Sequence, residues 1–424
     1  MIYNEGLYNK HWQTKKLSEL GSFSRGVSKH RPRNDKRLFE GGGFPLIQTG
    51  EIKAANLYIT NHISEYGEFG LKQSKLWDAG TLCVTIAANI AETAILSYPM
   101  CFPDSVVGFN ANKEETSELF MYYVFEYIKY SIQNAATGSI QDNINIDYLT
   151  ALDFKIPEKK TQDKIVKVLS SIDKKIENNN RINDNLQQLI QATYSFWFNQ
   201  FEFPDENGKP YASNGGAFIY NEQLKRNIPT GWTVETLRHN TLFNYIDTGV
   251  LPFDNKNYLA TANVNGTAIT DGEWITFANR EGRANMQPSL YSVWFAKMKN
   301  SVKHIFIPCN GQWMIDKYIF STGFSGVQCT EETFAYVACL IQAPFFEKTK
   351  DILSHGATQQ SVNNDDLDAI KIPVPPRDIL RKFALEINPI FNKICILQKE
   401  NQELYAQREY LLPVLMNGQI TITD

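Results

Sequence analysis

The stretch Gly138-Ser139-Ile140-Gln141, followed by Asn145, Asp147, Leu149 and Ile156-Pro157, is written twice in this chain. It returns as Gly356-Ala357-Thr358-Gln359, with Asn363, Asp365, Leu367 and Val374-Pro375, at an offset that stays close to 218 residues. A constant offset marks an internal repeat, and a repeat sets the architecture before any local reading does. The openings of the two halves agree with it: Trp12 precedes Leu17 and Leu20, and Trp232 precedes Leu237 and Leu242. Each closing proline leads into a long, charged segment with apolar residues at helical spacing. The order is block, helix, block, helix.

The first helical segment, roughly 160–198, carries Ile165, Ile172, Asn179, Leu186 and Thr193 at a positions and Val168, Lys175, Ile182, Leu189 and Phe196 at d positions of a seven-residue repeat. In the second, roughly 377–412, Leu380, Ile387, Ile394 and Asn401 stand at a, and Phe383, Ile390, Leu397, Leu404 and Leu411 at d. Pro389 interrupts it, and a proline inside a helix removes a donor, so a kink or a late start is expected there. Either stripe alone suits a helix packed on its own domain. Two matched stripes, each with an asparagine at an a position that specifies register, favour pairing of the two helices. A two-fold relation between the halves makes the pair antiparallel, with the blocks at opposite ends. A helix of about 38 residues is about 57 Å long at 1.5 Å per residue, against about 34–36 Å for one turn of B-DNA.

The blocks themselves mix short β-prone runs, such as Gly80-Thr81-Leu82-Cys83-Val84-Thr85-Ile86 and Lys303-His304-Ile305-Phe306-Ile307, with helical stretches at Glu118–Ile132 and Glu331–Gln342. Both read as α+β. The expected boundaries are a first block over 1–155, a central helix over 156–200, a linker and second block over 201–372, and a distal helix and tail over 373–424.

At 424 residues the chain is long enough for more than one core. No apolar run approaches the roughly 20 residues needed to span a bilayer, and the polar opening Met1 to Lys16 has no signal-peptide core; a cytoplasmic protein is expected. Six scattered cysteines, without a Cys-x-x-Cys pair, read as free thiols. The formal net charge of −4 argues against a generic, strongly basic nucleic-acid binder, so any DNA binding must come from local patches. The chain shows no Walker loop, no His-Glu-x-x-His, no Gly-x-Ser-x-Gly and no Asn-Pro-Pro-aromatic run, and its six histidines are dispersed. No catalytic or metal site is expected.

The sharpest basic cluster lies between Arg25 and Arg37, where Arg25, Lys29, His30, Arg31, Arg33, Lys36 and Arg37 face a single acid, Asp35. A solvated loop is one reading; contact with phosphates or base edges, which arginine forks suit, is the other. Gln48 and Thr49 read equally as base readers or as turn residues. In the second block Arg280, Arg283, Asn285, Lys297, Lys299, Lys303 and His304 form a looser set, in which Lys297 and Lys299 suit a sheet edge as well as a DNA surface. Gln141 and Gln359 recur at the same place in both halves, as contacts or as structural turns.

The segment between the blocks points to a family. Trp197-Phe198, Phe201-Glu202-Phe203-Pro204, Asn207-Gly208-Lys209-Pro210-Tyr211, Gly215-Gly216 and Asn221 to Trp232 resemble the join between helix and second domain in type I restriction-modification specificity subunits. The likeness extends to the Trp-x-x-x-x-Leu openings, the run Pro45 to Ile52, the Gly-Ser-Ile-Gln turn and the proline-headed helices. Two departures stand out: Ile156-Pro157-Glu158-Lys159-Lys160 lacks a second proline-rich step, and Trp294 to Lys299 has no match in the first block.

The resemblance implies two target-recognition domains, each reading half of a split, asymmetric DNA site, separated by two long helices in an antiparallel coiled coil. It implies modification subunits docked on the helical region and restriction subunits beside them. S-adenosylmethionine, ATP and magnesium would be held by those partners and not by this chain, and adenine would be methylated on a partner after base flipping. A specificity subunit of a methylation-only or type II-like system, and a coiled-coil scaffold with no affinity for DNA, are the alternatives.

Overall fold

The computed structural model describes residues 4–137, 149, 151–356 and 360–422. Contacts divide the chain into two compact units, Met1–Asn178 with Gln402–Asp424, and Asn179–Asn401. Both divisions fall inside long helices, the central helix Lys159–Tyr194 and the distal helix Arg377–Met416, so each unit contains a length of both.

In the first unit the strand Gln13–Lys16, directly after Trp12, pairs antiparallel with Asp153–Ile156, Gln13 standing opposite Ile156. The central sheet has five strands in the order Gly21–Arg25, Val106–Ala111, Leu82–Thr85, Thr93–Leu96 and Tyr58–Ile59, antiparallel except for the last pair. The apolar run from Leu82 is buried on both faces, and alternate side chains serve different cores. Leu82, Val84, Ile95, Val107 and Phe109 face the helix Glu118–Thr137 through Phe120, Tyr123 and Val124. Cys83, Ala94, Leu96 and Val106 face Trp77, Met100 and Phe102, which belong to or follow strands of a second sheet ordered Ser64–Tyr66, Phe44–Leu46, Met100–Cys101, Leu76–Trp77.

The second unit repeats this plan. Thr233–Thr236, directly after Trp232, pairs antiparallel with Lys371–Val374, Thr233 opposite Val374. Its main sheet runs Phe243–Tyr245, Phe324–Cys329, Ser292–Ala296, His304–Ile307, the order of the first four strands above. Val293, Phe295 and Val327 pack toward the helix Glu331–Gln342, and Trp294, Ala296, Ile305 and Phe324 toward Leu259, Tyr318 and Phe320. Gly108 and Gly326, both third in their strands, lie under indole rings: a β-carbon would stand 2.6 Å from the Trp77 ring at Gly108 and 2.4 Å from the Trp294 ring at Gly326.

The two long helices contact one another within each unit. In the first, Arg408 pairs with Asp173 at 2.8 Å and Ile165 and Leu169 share a core with Leu412 and Leu415. In the second, Asn179 reaches Asn401 at 2.9 Å, and Tyr194 lies against Phe383. Rising numbers on one helix meet falling numbers on the other.

The buried stripe of the central helix requires a correction. Ile165, Ile172 and Asn179 are buried and Leu186 packs against the core, but their partners are Leu169, Ile176, Asn183, Ile190 and Trp197, four residues on. Of the expected set three residues on, only Val168 packs against a core: Lys175, Ile182 and Phe196 are exposed, and Leu189 is 51% exposed. Alternating steps of three and four can be entered on either side of the same a position, and burial selects the other side here. In the distal helix Phe383 and Leu397 are buried, Ile390 and Leu411 pack against cores, and Leu404 is half-buried. That helix starts at Arg377 and runs through Pro389, so the late start does not occur; Pro389 is exposed. All six cysteines are free thiols. Among the described residues no helix is long and apolar enough to cross a membrane.

Candidate nucleic-acid interface

In the first unit the basic loop leaves the edge strand Gly21–Arg25 and is tied by its backbone to the turn 102–105, which precedes the strand Val106–Ala111. Gly26 N–H donates to the Val106 carbonyl at 2.8 Å and Val27 N–H to that of Phe102 at 3.2 Å. The loop is not a free array of cations. Arg37 forks onto Asp35, its Nη2 donating at 2.6 Å and its Nε at 3.1 Å, and His30 meets the same carboxylate at 2.8 Å. The Arg37 guanidinium, and then His30, hold the Asp35 carboxyl well below the usual carboxylate range. A second acid, invisible as a neighbour in the sequence, arrives from 71 residues away: Arg33 donates to Asp104 Oδ1 at 2.6 Å, and Arg31 lies 3.6 Å from Oδ2. Arg25, Lys29 and Lys36 are exposed and make no ion pair among the described residues.

Gln48 lies at the start of the short helix Thr49–Ala54, where its N–H donates to Glu51 at 3.2 Å while its side chain stays exposed. Thr49 is the first residue of that helix. Gln141 and Gln359 lie outside the described residues.

In the second unit the strands Ser292–Ala296 and His304–Ile307 are joined by a hairpin whose tip, 297–303, carries Lys297, Lys299 and Lys303. Lys297 N–H donates to the Gly323 carbonyl and Thr322 N–H to that of Arg283, so the turn 322–323 brings Arg283 beside Lys297. Burial lowers the Lys297 pKa from its ordinary value, and the neighbouring Arg283 charge adds to the effect. Lys299 N–H donates to the Gln360 carbonyl at 3.0 Å, and Val362 N–H to that of Lys297, which brings residues 360–362 to the same hairpin. Arg283, Lys297 and Lys299 make no ion pair among the described residues. Two expected members are engaged elsewhere. Arg280 is folded over the Phe277 ring at 3.9 Å and donates to the Phe277 carbonyl, and Lys303 donates to the Thr261 carbonyl at 2.6 Å.

Beneath the tip is a charged group that sequence reasoning missed. Lys350, fully buried, donates to the carbonyls of Ala296 at 3.2 Å and Ser301 at 2.9 Å, and pairs with Glu347 at 2.6 Å. Glu347 also meets buried His304 at 2.9 Å. Burial pushes the Glu347 carboxyl up, but bonds from His304 and Lys350 outweigh it and leave its pKa below the ordinary value. Lysine buried this deeply needs partners; here they are the carbonyls that shape the tip.

The two candidate surfaces occupy corresponding corners. Ile86 N–H donates to the Ser105 carbonyl in the first unit as Lys297 N–H does to Gly323 in the second, each linking a hairpin to the turn before the sheet's second strand. At that corner the first unit places its edge-strand loop and Asp104. The second places its hairpin tip and the 280–283 turn.

The family described as "Type I restriction modification DNA specificity domain" matches residues 9–188. The type I restriction enzyme MjaIX specificity subunit of Methanocaldococcus jannaschii is 25% identical over 99% of this chain and 96% of its own length. The HindI specificity subunit of Haemophilus influenzae is 24% identical over 95% and 98%. Over nearly its whole length the chain is thus similar to type I restriction-enzyme specificity subunits. The S subunit from M. genitalium, 17% identical, shares the fold over 98% of this chain and 99% of that one, with a TM-score of 0.56. The region matched by that family ends within the central helix, and the second half carries the same strand order with different residues at the corner.

Proposed function

We propose that this chain is a specificity subunit that reads a split, asymmetric DNA site, one half with each unit. The observation that carries the reading is the corner: two units of like topology present cations at the same place from unlike segments, Arg25, Lys29, Arg31, Arg33 and Lys36 in one and Arg283, Lys297 and Lys299 in the other. Like placement suits two copies of one task. Unlike residues suit two different half-sites, freeing a pseudo-repeated monomer from the palindromes that a symmetric dimer requires. A net charge of −4 fits binding confined to such patches.

In this reading the central and distal helices form an antiparallel coiled coil that sets the distance between half-sites. At 1.5 Å per residue the 36-residue central helix is about 54 Å long, enough to exceed one turn of duplex at about 34–36 Å. The helices dock modification subunits, and restriction subunits complete the assembly. Chemistry lies on those partners: S-adenosylmethionine is held by the modification subunits, and ATP with magnesium by the restriction subunits. The complex works in the cytoplasm. Co-expression with a modification subunit in a methylation-free host, followed by mapping of modified adenines, tests the reading. A split motif with a fixed gap, lost when this chain is omitted, supports it. An unchanged pattern from an active modification subunit overturns it.

A further inference from the structure

Asp104 is a carboxylate brought into the first unit's basic surface from 71 residues beyond Arg33. Its side chain is 39% exposed, with Arg33 donating to one oxygen at 2.6 Å and Arg31 3.6 Å from the other, and those arginines are themselves half-exposed. The corresponding turn in the second unit is Thr322-Gly323, with no acid, and the cations beside it are unpaired among the described residues. The two corners therefore differ: only the first sets arginines, Arg31 and Arg33, against a carboxylate from the turn before the sheet's second strand.

Building on the DNA-reading assignment of this corner, we propose that Asp104 is a specificity-determining residue of the first unit, which withholds Arg31 and Arg33 from bare phosphate backbone and releases them where the major groove offers an exocyclic amino group. A phosphate brought to either arginine comes close to the Asp104 carboxylate, and like charges at that range repel. Non-specific binding, which rests on phosphate alone, is weakened. At a base pair presenting cytosine N4 or adenine N6 in the groove, the carboxylate accepts a hydrogen bond from the base, and the arginine forks turn to a guanine edge or a phosphate. The cost of parting the pair is then offset at the right sequence only, which is discrimination built by penalising the wrong partner.

The test uses the full chain assembled with its modification subunits, a pool of random-sequence duplexes, and the variants Asp104→Asn, Asp104→Glu and Arg31→Ala with Arg33→Ala. Asp104→Asn is expected to bind unselected duplex roughly threefold more tightly at 0.1 M salt, with a log–log salt slope steeper by about one, the equivalent of one further phosphate contact. Duplexes selected by it should lose a cytosine or adenine preference at one position of one half-site and keep the other half-site intact, while Asp104→Glu keeps both. Unchanged affinity, slope and selected sequence in Asp104→Asn, with weakened binding in the arginine variant, overturns the proposal and leaves the DNA-reading corner standing. A uniform loss of affinity in Asp104→Asn also overturns it, because the carboxylate then merely holds the arginines in place. If the arginine variant binds and selects like the unaltered protein, the corner is not a DNA surface and both readings fall.

Discussion

Asn179 donates its side-chain amide to the Asn401 oxygen at 2.9 Å, and Asn401 donates in turn to Asn180 at 2.7 Å. Asn179 and Asn401 are buried, and Asn179 also donates to Glu400 at 2.8 Å. A paired amide at such a position costs stability and fixes register, since a slip separates it from its partners.

A single Asn179→Leu substitution should therefore leave the Asn401 side-chain oxygen without its donor and lower stability by about 1–3 kcal/mol. The double Asn179→Leu, Asn401→Leu variant should recover most of the loss or exceed the starting stability. Urea unfolding of the four proteins closes a double-mutant cycle. Additive losses in the double variant would mean the two amides are not coupled.

Gly108 and Gly326 support a second expectation. Gly108→Ala and Gly326→Ala each drive a methyl group into a packed indole, and overpacking of this kind costs about 1–3 kcal/mol. Gly282→Ala, with nothing within 4 Å of the new carbon, is the matched control. Equal urea midpoints for all three would show that the Trp77 and Trp294 rings shift freely.

Much of this architecture was legible in the sequence because periodicity and repetition are local. The strand opened after Trp12 and closed at Ile156-Pro157, and its counterpart from Trp232 to Val374-Pro375, fall where the repeat placed them. Glu331–Gln342 is a helix with the anticipated ends. The Gly108 and Gly326 pair, also 218 residues apart, was a further sign of the repeat that went unread. The side of the a positions on which the central seam closes was not legible, since Leu189 and Ile190 suit a helical stripe equally well and only the partner helix decides between them. Nor were the surfaces. Arg33 meets Asp104 across 71 residues, and Lys299 meets Gln360 through backbone atoms that carry no sequence signature.

The buried Lys350 yields a stability prediction with a pH signature. Glu347→Gln removes the charge that faces Lys350 and His304, and breaking a buried pair on one side costs about 3–5 kcal/mol. The Glu347 pKa is depressed in the folded protein, so its stabilisation is fully present above the unfolded value of about 4.3 and is lost as pH falls through the lower folded value. The difference in melting temperature between the protein and Glu347→Gln should be largest near neutrality and shrink below about pH 4.3, because a protonated glutamate resembles glutamine. A difference that stays constant across that window would remove the ionised glutamate from the account.

Lys350 also bears on DNA binding, because it grips the carbonyls of Ala296 and Ser301 on either side of Lys297 and Lys299. Lys297→Ala and Lys299→Ala should each reduce the log–log salt slope of duplex binding by up to about 0.9, the contribution of one phosphate contact, and leave the fold intact. Lys350→Met touches no DNA, yet it frees the tip and should weaken binding while leaving most of the salt slope in place, since the surface lysines remain. It should also fold less stably, so binding is to be measured well below the melting transition. Fluorescence anisotropy with one duplex between 50 and 200 mM salt separates these outcomes. Should the two surface lysines prove indifferent and Lys350→Met alone act, the hairpin tip would be a structural element of the second unit, and its DNA contacts would have to be sought around Arg283 and the turn at 322–323.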